Sequence, residues 1–82
     1  MHKLVREIAK TPDIKEAYNF ANLLNLTDGV FDVKVDQVKQ DVYQVSFEMV
    51  DIAIKYLQIF NITKAFDLSG LEFVNPYWIN YK

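Results

Sequence analysis

The chain has 82 residues, 51% of them apolar and 15% aromatic, with eleven acidic and nine basic side chains mixed along it for a net charge of −2. A chain of this length holds one domain, residues 1–82, with a core near the lower limit of unaided folding. The absence of cysteine excludes a disulfide framework, thiolate catalysis and cysteine metal sites, and without a basic stripe to displace counterions no nucleic-acid partner is expected.

In chain order, residues 3–10 gather Leu4, Val5, Ile8 and Ala9 within about 140° of a helical wheel, opposite Lys3, Arg6, Glu7 and Lys10, which predicts a short first helix. Glu7 and Lys10 also stand where a signal peptide would carry its apolar run. No stretch is apolar for long enough to span a bilayer, so a cytoplasmic protein without a membrane partner is expected. Pro12 ends the first helix and opens a second, with Thr11 as its N-cap and Asp13 near its positive end. The second helix runs to about Asn25 and faces inward through Ile14, Ala17, Tyr18, Ala21 and Leu24. Phe20, Leu23 and Leu26 stray from that stripe, and Thr27, Asp28 and Gly29 stop the helix.

From Val30 to Asp36, Phe31, Val33 and Val35 alternate with Asp32, Lys34 and Asp36. From Val42 to Met49, Tyr43, Val45, Phe47 and Met49 alternate with Gln44, Ser46 and Glu48. Both segments carry the period of half-buried strands. Joined by a turn over Gln37 to Asp41, they form a hairpin in which Val35 meets Tyr43, Val33 meets Val45 and Phe31 meets Phe47. The period then changes. From Met49 to Asn61 the polar residues Asp51, Lys55 and Gln58 occupy an arc of about 60°, while apolar residues including Ile54, Tyr56, Leu57 and Phe60 fill about 220°. A helix so apolar is covered on more than one side, within the chain or by a partner. Lys64 to Leu68 and Leu71 to Val74 read as two short strands around Ser69 and Gly70. Pro76 and the aromatics Tyr77, Trp78 and Tyr81 close the chain.

The segment from Asp28 to Asp36, placed after a helix and before a second strand and helix, resembles the middle of ferredoxin-like domains such as heavy-metal-associated and ACT regulatory domains. The resemblance covers about half the chain and implies a four-stranded plait, with small-molecule regulation in the ACT case. Metal binding by the first family rests on paired cysteines, which this chain lacks.

Chemistry-bearing residues are sparse. His2 lies beside the chain end, where a general base is poorly positioned, and Ser46 and Ser69 have no basic partner in the pattern. Asp32, Asp36 and Glu48 share a strand face with Lys34 and read as a solvated surface more readily than as a cation site.

These observations lead to an α+β fold: three helices packed on one face of a mostly antiparallel three- or four-stranded sheet, with a ferredoxin-like plait as the alternative. They predict a non-catalytic interaction module, with no cofactor and no metal, of the accessory or inhibitory kind carried by phages and mobile elements. It would bind another protein, or itself as a homo-oligomer, through the aromatic C-terminus and the flank of the central helix, with Tyr77, Trp78, Tyr81 and Tyr56 as contacts. A small-molecule-binding regulatory domain of ACT-like type is the competing reading.

Overall fold

The computed structural model describes residues 3–74. Strand β1 (Leu4–Thr11) is followed by helix α1 (Ile14–Asn25), strands β2 (Val30–Lys39) and β3 (Val42–Val50), helix α2 (Ala53–Ala65) and a short strand β4 (Glu72–Phe73). The strands form one antiparallel sheet in the order β2-β3-β1-β4. A β-α-β-β-α-β chain with this strand order is a ferredoxin-like plait. The α+β class agrees with the sequence reading, but the described residues hold two helices where three were expected.

The missing helix is β1. Its side chains alternate, with Val5, Glu7, Ala9 and Thr11 on the inner face and Leu4, Arg6, Ile8 and Lys10 on the outer one. Backbone pairing decides the matter: β1 lies between β3 and β4, paired with β3 along its whole length and with β4 at Ala9 and Lys10. An isolated helix of two turns is marginal in water, whereas a central strand is held by its neighbours.

The N-cap of helix α1 lies two residues beyond the expected Thr11. Asp13 is the N-cap and accepts a hydrogen bond from the Lys15 N–H at 2.9 Å, while Thr11 Oγ1 accepts from the Asp13 N–H at 3.2 Å. The buried stripe is Ala17, Phe20, Ala21 and Leu24, so Phe20 points inward and Tyr18 outward, the reverse of the expected assignment. Phe20 has its ring edge-to-face with Phe47 and with Phe73, both centroids 5.9 Å away. One aromatic from α1 thereby ties β3 to β4 through the middle of the core. Gly29, at φ +82°, ends the connection after α1 as expected.

The β2–β3 hairpin forms, with a tighter turn and a different register. The strands run to Lys39 and from Val42, leaving Gln40 and Asp41 as the turn, with Asp41 at φ 58°. Val35 pairs with Val45 instead of Tyr43. That two-residue shift keeps Val35 on the inner face, as a period of two requires. Phe31 does change face. A bulge between Phe31 and Lys34, with Asp32 at φ 53°, sets Phe31 opposite Glu48 on the outer face, where it is 50% exposed.

Helix α2 begins four residues later than predicted because β3 continues through Val50 to pair with Leu4. Only Tyr56 and Ile59 of α2 are buried. The strands expected around Ser69 and Gly70 do not pair with each other. The first falls on the end of α2 and the turn after it, and Glu72 and Phe73 pair with Lys10 and Ala9 of β1. Among the described residues, no helix is long and apolar enough to cross a membrane.

Candidate interaction surface

The sheet's outer face carries the carboxylates that the sequence placed together. Arg6 of β1, paired opposite Glu48 of β3, donates to Glu48 Oε1 at 3.1 Å and reaches on to Asp32 Oδ2 of β2, and Lys34 stands 3.8 Å from Asp32. Slight desolvation lowers the Arg6 pKa, but the hydrogen bonds and negative charge of Glu48 and Asp32 outweigh it and raise the pKa overall. The guanidinium therefore stays charged, and two of the three carboxylates hold a cationic side chain. Asp36 sits further along the face, opposite Gln44. Among the described residues no group of three or more histidine, cysteine, aspartate or glutamate side chains could hold a metal ion.

The buried polar residues have structural partners. Thr11 Oγ1 donates to Glu16 Oε1 at 2.8 Å, and Glu16 Oε2 accepts from the Gly70 N–H at 3.3 Å. This carboxylate pins the loop before β4 against the start of α1. Ser46 is 8% exposed and pairs with Ile8 on one side and Lys34 on the other, while Ser69 is exposed in the loop.

The helical layer is different in kind. Tyr56 and Ile59 turn α2 inward, so the opposite side presents Ile54, Leu57, Asn61 and Ala65, spaced i, i+3, i+7 and i+11. Ile54 is 70% exposed, Leu57 57% and, at the C-cap, Phe66 60%. A groove of about 470 Å³ runs along this side, lined by Ile54, Leu57, Gln58, Ile62, Ala65 and Phe66. A second groove of about 340 Å³ lies between the helices, where Asn19 and Asn22 flank Leu23, Leu26, Phe66 and Leu68. Phe66 lines both, so they form one apolar band across the layer.

Both lysines of α2 are engaged by partners, Lys55 at the rim of the first groove. Lys55 Nζ donates to Gln58 Oε1 at 2.8 Å and to the Asp28 carbonyl, and Lys64 Nζ sits 4.6 Å from the centre of the Phe60 ring.

Of the residues the sequence nominated for partner binding, Tyr56 is 3% exposed, with its hydroxyl 3.5 Å from Asp51 Oδ1. It faces the core, because α2 uses it as one of its two anchors on the sheet. Tyr77, Trp78 and Tyr81 lie outside the described residues, as does His2. On the flank of the central helix that the sequence also nominated, Ile54, Leu57 and Phe60 are exposed, and Phe66 at the C-cap joins them. The all-round apolar helix and the stray position of Leu26, which is 84% exposed, were the signals for this band. Phe66 was hidden by its assignment to a strand.

Compared with protein-family models, with curated proteins and with solved structures, the chain matches none of them.

Proposed function

We propose that this chain is a non-catalytic interaction module that binds another polypeptide through the outer side of its helical layer. The observation that carries this reading is the apolar band centred on Phe66, which joins two grooves and leaves Ile54, Leu57 and Leu26 in water. Contiguous exposed apolar surface of this kind, rimmed by polar side chains, marks association surfaces on small domains.

Affinity capture from the native host tests the reading, with the wild-type chain and Leu57→Asp as baits. Leu57 is 57% exposed, so the variant keeps its fold, and circular dichroism verifies that. A partner retained by the wild type and lost by the variant supports the proposal. Equal capture by both baits refutes it.

A small-molecule regulatory role draws on one observation, the pair of side-chain amides, Asn19 and Asn22, beside the apolar floor of the inter-helix groove. In that reading a panel of amino acids and nucleotides contains a compound that raises the melting temperature by mass action. Asn22→Ala would remove that shift.

A further inference from the structure

We infer that two copies of this chain join at the sheet edge, β2 against β2 in antiparallel register about a two-fold axis through Val35, so that one sheet runs through both. This contact is separate from the apolar band on the helical layer and does not depend on it.

The backbone supplies the first argument. β2 is an outermost strand, and among the described residues β3 alone pairs with it. The Val50 N–H donates to the Gly29 carbonyl at 3.1 Å, so the even-numbered residues of β3 are those that exchange hydrogen bonds with β2. Lys34 and Asp36 stand opposite Ser46 and Gln44, and their backbone groups therefore turn toward β3. Val35 between them turns its N–H and C=O the other way, and the alternation carries Val33 and Gln37 with it. In the joined sheet Val35 exchanges both bonds with its own equivalent, and Val33 stands opposite Gln37. Main-chain hydrogen bonds, more than apolar area, hold such a contact, as in strand addition generally.

Charge is the second argument, and it sets the register. About Val35 the outer-face residue Lys34 meets Asp36 of the other copy, and Asp36 meets Lys34. Both are opposite-charge pairs at the closely spaced positions of an antiparallel ladder. Moving the axis by one residue sets Lys34 against Lys34, or Asp36 against Asp36. Both side chains are exposed. The bulges between Phe31 and Lys34 and between Gln37 and Lys39 interrupt the strand to either side, which discourages other partners and other registers.

Helix α1 supplies the third. Glu16 accepts from the Gly70 N–H in the loop before β4, so that side of α1 faces the β4 end of the sheet. Ile14 and Tyr18 are each two residues from Glu16, about 160° round the helix from it, and so face the β2 end. Both are exposed. A two-fold axis perpendicular to the sheet keeps the helical layers of both copies on one side. The Ile14 and Tyr18 flanks then approach each other above the joined strands, over half-buried Val35.

Lys34→Asp and Asp36→Lys are made as separate full-length proteins, with circular dichroism to verify the fold. Sedimentation equilibrium of the wild type should show a monomer–dimer equilibrium. Each variant should raise its Kd about tenfold or more, because each turns two attractive contacts into repulsive ones. Mixed one to one, the variants should associate about as well as the wild type, since a copy with aspartate at 34 and 36 then meets a copy with lysine at both. Hydrogen exchange at the Val35 amide should slow as the concentration passes through the Kd. Sedimentation of the wild type as a monomer up to the millimolar range would overturn the inference. So would a dimer indifferent to the single variants, a mixture that associates no better than either alone, or Val35 exchange that ignores concentration. Leu57→Asp, on the helical layer, should leave the association unchanged, and a dimer lost in that variant would overturn the edge contact in favour of α2.

Discussion

Replacing both Ile54 and Leu57 by aspartate should cost the dilute chain only about 1 kcal/mol of folding stability, far less than two large aliphatic residues usually cost. The magnitude follows from what each side chain buries. Full burial of a residue of this size contributes about 1.5–3 kcal/mol. Ile54 is 70% exposed and Leu57 57%, so they retain about 0.5–0.9 and about 0.6–1.3 kcal/mol of that contribution. Part of the loss is offset. Position 54 lies in the first turn of α2, which carries no acidic residue and whose N-cap, Ile52, makes no side-chain hydrogen bond. A carboxylate there gains about 0.3–1 kcal/mol from the helix dipole. The control is Ile59→Ala in the same helix, where a side chain with no exposure is truncated and the expected cost is about 2–5 kcal/mol. Urea unfolding followed by far-ultraviolet circular dichroism at low micromolar protein measures all three. A loss above about 3 kcal/mol for the double aspartate variant would show that this side of α2 is covered by its own chain, and would remove the basis for any partner there.

Two further predictions address the frame that carries the band. Phe20→Ala should cost about 3–5 kcal/mol for the cavity, together with the loss of two edge-to-face contacts worth about 0.5–1.5 kcal/mol each. That is most of the roughly 4–12 kcal/mol expected of a chain this long, so its circular dichroism should be largely that of an unfolded chain, and a cooperative transition close to wild type would contradict the central placement of Phe20. Asp32→Asn, which tolerates positive φ but gives up the charge pairing with Arg6, should lose about 0.5 kcal/mol and converge with wild type at high salt. Asp32→Val should lose about 1–2 kcal/mol more because a β-branched residue is strained at φ 53°; equal stabilities would argue that the bulge is absent in solution.

The sequence revealed the hairpin, α1 and the apolar excess of α2 because in each the hydrophobic period follows local structure. It concealed β1, and the cause is specific. Glu7 sits on the inner face at 3% exposure while Leu4 and Ile8 lie on the outer one. The alternation of a central strand was thus inverted at three of eight positions, and the same residues fell into a tidy helical arc. The bulge was equally opaque, since Asp32 takes the left-handed conformation usually signalled by glycine, and with it went the face of Phe31. The extent of α2 was misplaced because Met49 and Val50 suit either element, and only pairing with Val5 and Leu4, more than forty residues away in the chain, assigns them to β3. The band itself was half legible. Excess apolar surface can be counted from a sequence, but which side of a helix keeps it depends on the two residues, Tyr56 and Ile59, that dock first.

The central place of β1 bears on how this protein comes off the ribosome. The first strand made is the one on which the sheet closes last, with β3 completing one flank only after Val50 and β4 the other only after Phe73. Nascent chains that stop short of β3 own a helix and two strands with no neighbour between them, so the sheet must await the synthesis of Phe73. Until then Leu4 to Thr11 travels as an open edge, available to chaperones and to other nascent copies alike.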